Sequence, residues 1–435
     1  MNYLQAVAHL QRRGNEVEKI HLGLQRISAV MQSLNHPQAR YPSLHIAGTN
    51  GKGSVAAMSE SILRQAGWKC GLYTSPHLLT IGERIRVGGR QISPRRFADV
   101  ATRIRQCERS LLRNHALDRR LTYFEFVTAC AFLHFAEQAI DVAVIEVGLG
   151  GRLDATNIVS SRVCVITGVS HDHQDFLGKT LAKIAAEKAG IIKPGVPVIS
   201  GCQPQEARRV VRRTARSADA PLVEVDRDCR IRITRERRGR FTIDLKTPCR
   251  LYRGLHLSMA GEHQTRNAAL AVAAVESLVD FPAQMADIRR GLAEVRWPGR
   301  LDEYRARRRT LLEGAHNPEG AGVLAAYLKM RREQEIHLVF GVLGDKDYIK
   351  MGRLLFPLVK NIHLAPVASL RTADPTSVAA AHPGYRSRIQ IHRNSREALR
   401  KAWAECSPAG LVVVTGSLYL VAELLPLVRK ATKAV

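Results

Sequence analysis

What most constrains this chain is an alternation of short apolar runs with segments whose apolar residues recur at helical spacing. LHIAG (44–48), WKCGLYTS (68–75), DVAVIEVG (141–148), VCVITG (163–168) and VPVIS (196–200) read as strands. Helices are expected at 54–67, around 96–113 and 122–139, and from Thr180 to Gly190. Strands apolar on both faces are covered on both faces, and helical crossovers deliver them parallel. The fold class is therefore α/β, with an N-terminal, mostly parallel sheet. Between about 221 and 260 the texture shifts to alternating runs, RIRIT and RFTIDL around RRGR, and these predict a small antiparallel excursion on the sheet edge. Helices at about 263–279 and 283–293 close this domain. Trp297-Pro298-Gly299 punctuates the chain, which predicts domains of residues 1–296 and 297–435. Beyond it, TLLEGA, IHLVFG, NIHLAP, IQIHR and LVVVTG alternate with helical segments again, as in a second, Rossmann-like α/β domain.

Composition narrows the class of partner. Lys plus Arg number 66 against 39 Asp plus Glu, a net charge of +27, which suits anionic ligands. The arginines are scattered, with RRTAR at 212–216, RIRITRERRGR at 230–240 and RARRR at 305–309, and few aromatics interleave them. That pattern favours a solvated basic surface or a funnel for small anions over a nucleic-acid site, so nucleic acid is disfavoured as a partner. The most apolar tract, Leu411–Val428, is broken by Thr415, Gly416, Ser417, Glu423 and Pro426, so no membrane partner is expected. The N-terminus lacks a signal-peptide pattern, and eight cysteines include no C-x-x-C, so a cytoplasmic protein with reduced thiols is expected.

The densest chemical signal is HIAGTNGKGS (45–54), between a predicted strand and a predicted helix. Gly48, Gly51 and Gly53 let backbone N–H groups turn toward a phosphate chain, around Thr49 and Asn50. The helix N-terminus adds its dipole, Lys52 a point charge and Ser54 a hydroxyl. The ordinary P-loop needs G-x-x-x-x-G-K-S/T; here Ile46 stands at the first glycine position and Gly53 separates Lys52 from Ser54.

G-T-N-G-K-G-S after a strand resembles the phosphate loop of the Mur-ligase superfamily of ATP-dependent amide-forming enzymes. TSPHL (74–78), LTYFE (121–125), EVGLGGRLDATN (146–157), DHQDFLG (172–178), EKAGI (187–191), GEHQTRNAA (261–269), WPGRL (297–301), GAHNP (314–318), GDKD (344–347) and TGSLYLV (415–421) succeed it in order. Together they resemble the dihydrofolate synthase/folylpolyglutamate synthase branch over nearly the whole chain. The resemblance implies an ATP-dependent ligase adding L-glutamate to 7,8-dihydropteroate, and to tetrahydrofolate polyglutamate chains, through an acyl phosphate. Two alternatives are a Mur-type UDP-sugar-peptide ligase and, from a different class, a basic nucleic-acid-binding ATPase. The first is disfavoured because only about 43 residues precede the first strand.

The resemblance also implies roles for residues. Thr49, Asn50, Gly51, Lys52, Gly53 and Ser54 would hold ATP, together with Asn267, Arg300 and Glu313; the family commonly has Asp at the last of these. Ser75, Glu146, His173 and Lys188 would hold Mg2+, two ions in all, with Lys188 N6-carboxylated. Lys52, Lys188 and His316 would serve catalysis. His21, Leu22 and Gly23 of IHLGLQRI (20–27), Thr122 of LTYFE, and Leu153, Asp154 and Ala155 of GRLDATN would meet the pteroate or folate, with His21 where an Asp often sits. The expected partners are small molecules alone, and the chain is expected to act as a monomer.

Overall fold

A computed structural model describes residues 1–14, 23–331 and 335–432. Two compact units emerge: one comprises Met1–Arg232, Ile243–His256 and Arg266–Val295, the other Ile233–Thr242, Leu257–Thr265 and Arg296–Val435.

The first unit holds an eight-stranded sheet. From edge to edge its strands are Arg90–Gln91, Ile85–Val87, Cys70–Tyr73, Val142–Glu146, Ser43–Ala47, Ser161–Ile166, Val198–Ser200 and Leu222–Glu224. The six strands from Cys70–Tyr73 onward pair parallel, and the edge hairpin is antiparallel. Ser43–Ala47 and Val142–Glu146 are buried at every residue, as their unbroken apolar character requires of central strands. Ile46 lies beside Glu146 and Val165 in register, so the loops after three strands open from one edge of the sheet. One sheet face carries a core that includes Phe97, Phe126, Phe132 and Phe135; another cluster gathers Ile184, Ala185, Ile191 and Val211.

The 221–260 region departs from the expectation. Only Leu222–Glu224 joins the main sheet as its edge; Arg230–Arg237, Arg240–Lys246 and Leu251–His256 form a separate three-stranded sheet. The reason is visible in the alternation: Phe241, Ile243 and Leu245 are buried while their neighbours in the strand are not, so this sheet has one apolar face, and its strand Leu251–His256 packs against the helix Met285–Glu294.

The second unit is built on a six-stranded sheet in the order Asp302–Arg305, Arg309–Leu312, Leu411–Thr415, Ile336–Phe340, Asn361–Leu364 and Ile389–Ile391. All pairs are parallel except the first, an antiparallel hairpin. Helices Pro318–Arg331, Tyr348–Leu355, Pro375–Ala380 and Ser395–Glu405 lie in its crossovers, and Leu418–Thr432 follows the last strand. Among the described residues no helix is long and apolar enough to cross a membrane.

Candidate active site

The strand Ser43–Ala47 runs into Gly48 and then, through Thr49–Gly51, into the helix Lys52–Gln65. Two glycines are required by geometry. At Gly48 φ is +150°, and a Cβ there would sit 1.9 Å from Thr167 Oγ1; at Gly51 φ is +85°, and a Cβ would meet Asn267 Oδ1 at 2.8 Å. The loop is held from behind by residues 167–170, just past the strand Ser161–Ile166. Thr49 N–H donates to Gly168 O (2.9 Å), the Thr167 hydroxyl to Asn50 O (2.6 Å), and Ser170 N–H to Thr49 Oγ1 (3.1 Å). Gly53 and Ser54 lie in the first turn of the helix, with Ser54 buried, while Thr49, Asn50, Gly51 and Lys52 are half-exposed or nearly so.

Two lysines converge on one carbonyl. Lys52 Nζ donates to Gly48 O and Thr49 O, both at 3.1 Å, and Lys188 Nζ donates to the same Gly48 O at 2.9 Å. Lys188 lies near the end of the helix Leu181–Ala189 and is only 3% exposed. Burial first, and the Lys52 charge second, bring its pKa down from 10.5 to about 7, against the opposing pull of Asp172, Cys202 and Asp154. Its amine is therefore neutral in a large share of molecules at physiological pH, which an exposed lysine is not.

That helix is positioned by the glycine-rich loop after Val142–Glu146. Arg152 N–H donates to Glu187 O (2.8 Å), and a Cβ on Gly151 would approach Glu187 O and Lys188 O at 2.8 and 2.9 Å, so only glycine permits this contact. Asp154 is buried inside the loop, where it accepts from Leu149 N–H (2.9 Å), Thr156 N–H (3.0 Å) and the Thr156 hydroxyl (2.5 Å). Burial pushes its pKa up. With Asp154 spent on the loop and Ala155 buried, Leu153 is the half-exposed member of that trio.

Glu146 ends its strand at 4% exposure and accepts the Ser75 N–H at 3.1 Å, which brings the carboxylate and Ser75 together. His173, at φ +50°, precedes the short helix Gln174–Leu177; its ring is 3.9 Å from Asp172 Oδ1. The charge acting on Lys188 from this turn is that of Asp172. Asn267, on the helix His263–Glu276, is buried against Gly51. Thr122 caps the helix Tyr123–Glu137 in a reciprocal pair with Glu125, whose carboxylate is itself salt-bridged to Arg26 at 2.9 Å. His21 and Leu22 lie outside the described residues; Gly23, at φ +152°, is described.

In the second unit, Glu313 comes directly after the strand Arg309–Leu312. It is buried, accepts Leu301 N–H at 2.7 Å, and lies 3.8 Å from the Arg300 guanidinium. Burial raises its pKa and Arg300 opposes the rise. The carboxylate thus ties the WPGRL segment to the strand end. His316 Nδ1 is 3.0 Å from Gly314 O, and the ring is half-exposed.

Thr167 and Ser170 are residues the sequence did not single out, and Asp172 stood in it only as part of DHQDFLG. Their signal was present: a Thr-Gly just past an apolar strand that would neighbour the phosphate-loop strand.

Residues 46–275 match the family model of the Mur ligase middle domain, and residues 299–418 that of the Mur ligase, glutamate ligase domain. The dihydrofolate synthase/folylpolyglutamate synthase of Bacillus subtilis is 36% identical over 423 residues, covering 92% of this chain and 94% of that protein. A Mycobacterium tuberculosis folylpolyglutamate synthase structure, complexed with ADP, superposes with a TM-score of 0.91 at 34% identity, covering 98% of each chain. Escherichia coli FolC in complex with DHPP and ADP gives 0.89 at 29% identity, covering 99% of this chain and 98% of that one. With the phosphate loop, the strand-end glutamate and the buried lysine in one α/β unit, the chain belongs to the Mur ligase superfamily, in its dihydrofolate synthase/folylpolyglutamate synthase branch.

Proposed function

We propose that this ATP-dependent ligase joins L-glutamate to 7,8-dihydropteroate and extends tetrahydrofolate polyglutamate chains. One observation carries the reading: Gly48 O, at the head of the phosphate loop, holds the amines of both Lys52 and Lys188 in a chain matched end to end by glutamate-ligase relatives. ATP binding is supported by the nucleotide complexes of the relatives. Phosphorylation of the acceptor carboxylate gives an acyl phosphate; the glutamate amine attacks it, and phosphate leaves from the tetrahedral intermediate. Lys52 would offset charge on the transferring phosphoryl group, with Thr49, Asn50, Gly51, Gly53 and Ser54 presenting backbone and hydroxyl donors. Asn267, Arg300, Glu313 and His316 are proposed nucleotide contacts, the last also catalytic.

Mg2+ fits the donor set: a buried carboxylate with a serine beside it offers the hard oxygen ligands this ion takes. Glu146 and Ser75 would hold it, with His173 as the nitrogen donor, and when bound it supplies charge neutralisation. A second ion would use Lys188 in N6-carboxylated form; a largely neutral, buried amine is the form that takes up CO2. Gly23, Thr122 and Leu153 are the proposed pteroate contacts among the described residues. The division at 296/297 is proposed as the boundary between nucleotide-loop and glutamate-ligase functions, in a monomeric cytoplasmic enzyme.

The test is phosphate release dependent on ATP and Mg2+, with glutamate, run in parallel with dihydropteroate, with tetrahydrofolate and with neither. Release with both acceptors is expected; release with neither overturns the folate reading.

A further inference from the structure

A second cluster of ionisable side chains lies in the second unit. Three neighbouring parallel strands each carry a histidine in or just past an otherwise apolar run: His337 in Ile336–Phe340, His363 in Asn361–Leu364, and His392 directly after Ile389–Ile391. Register places His337 beside Asn361, and His363 beside Gln390. Alternation therefore puts His337, Asn361, His363 and Gln390 on one face of the sheet. The helix Ser395–Glu405 ends against that face: Glu405 accepts from Asn361 Nδ2 at 3.0 Å and from Gln390 Nε2 at 3.1 Å.

Three ligand-type atoms converge there, one from each of His337, His363 and Glu405, all within 4.8 Å of one another. His337 Nδ1 is 3.5 Å from His363 Nε2, and His363 Nε2 is 3.7 Å from Glu405 Oε2. Both separations are long for a hydrogen bond between such groups. They are close to the edge of a zinc tetrahedron, roughly 3.3–3.5 Å for Zn–N and Zn–O bonds of about 2.0–2.1 Å. The tautomers agree. His337 Nε2 faces Glu335 Oε1 at 2.9 Å and so carries the proton, which leaves Nδ1 a lone pair. His363 Nδ1 faces His392 Nε2 at 3.1 Å; when it donates there, Nε2 also presents a lone pair to the same point. Both imidazoles are fully buried.

We propose that His337 Nδ1, His363 Nε2 and Glu405 form a three-ligand site for a divalent transition ion of the zinc class, with water in the fourth position. Imidazole and carboxylate donors suit that class. The outer partners are those such sites use: Glu335 orients His337, His392 orients His363, and Gln390 and Lys401 hold Glu405. Lys360, on Glu335 at 3.2 Å, and Lys401, on Glu405 at 3.2 Å, are both more than half exposed and can turn outward as the ion brings its charge. Glu405, with its side chain 23% exposed, gives the ion a way in. The ion would pin the end of one helix to two strands, a structural role separate from ligation of glutamate.

The test uses the full chain stripped of metal by a chelator. Zn2+ titrated against a chromogenic competitor should show one more tightly bound equivalent in the wild type than in Glu405→Gln, and Zn2+ should raise the thermal midpoint of the wild type more. Glu335→Gln should keep the site but weaken it 10–100-fold. Co2+ loading of the wild type gives a measurement independent of any variant: visible bands of four-coordinate Co2+ are expected. Equal stoichiometry and equal midpoint shifts in wild type and Glu405→Gln, or no four-coordinate bands, would overturn the proposal.

Discussion

The phosphate loop of the first unit and the histidine cluster of the second both gather ionisable side chains beside a parallel sheet, yet they are opposite in character. Around Gly48, two amines crowd one carbonyl beside a helix N-terminus, and the region presents positive charge. Around His363, imidazole nitrogens and a carboxylate face one another. The difference lies in what each main chain offers. Past the end of its strand the first site has turned backbone N–H groups, which call for an anion; in the second the ladder consumes the backbone, so side chains alone set the sign.

The sharpest break in this contrast is Lys52→Ala. It should lower kcat/KM by on the order of 10^3, while the zinc equivalent of the second unit is unchanged; loss of both would mean the two regions are not independent. Lys188→Met should cost on the order of 10^2 in kcat, and it also carries a stability signature. Below about pH 7 both folded and unfolded chains hold the Lys188 proton. Between about 7 and the usual 10.5 the folded chain releases it while the unfolded chain keeps it; rising pH favours the state that has given up the proton, so stability from this group rises with pH across that window. Denaturant melts at pH 6.5 and 9 should show the rise in the wild type and a smaller one in Lys188→Met. Carboxylation of the neutral amine should take the same direction: bicarbonate added to CO2-depleted enzyme should restore more activity at pH 8 than at pH 6.5.

A smaller effect is expected from Gly48→Ala, which combines positive φ with a Cβ 1.9 Å from Thr167 Oγ1. It should cost about 2–3 kcal/mol in unfolding free energy, and Thr167→Ala in the same chain should return part of it. The mildest change is Glu313→Asp. Shortening the side chain draws it away from Leu301 N–H, a loss of about 1 kcal/mol, read as a rise in the KM for ATP of less than tenfold.

The phosphate loop was legible in the sequence because its chemistry is local: glycines, a lysine and a helix start lie within ten residues. The apolar central strands were legible for the same reason. The helix Gln205–Ser217 was not, because its arginines read as scattered charge although Ala207, Val210, Val211 and Ala215 make a buried stripe. The N-terminal helices Tyr3–Gln11 and Gln25–Ser33 were passed over too. The burial of Lys188 could not be read either, since it depends on Gly151 lying against the helix backbone. The histidine cluster did leave a trace: IHL recurs in two strands, and a polar ring inside an apolar strand needs a partner.

The contact between Gly51 and Asn267 spans more than two hundred residues of chain, and it is not alone. Ser61 Oγ donates to Gly291 O at 2.9 Å, Trp68 Nε1 donates to Pro282 O at 3.2 Å, and the Trp68 ring meets Phe281 at 5.1 Å. The helix Lys52–Gln65 packs on Met285–Glu294, and Gly291 has no Cβ because Ile62 occupies the space. For a nascent chain leaving the ribosome, this helix is therefore among the first elements made and among the last completed. Closure across so long a loop is slow, and a fragment ending before residue 266 would expose the face of the helix that these later residues cover.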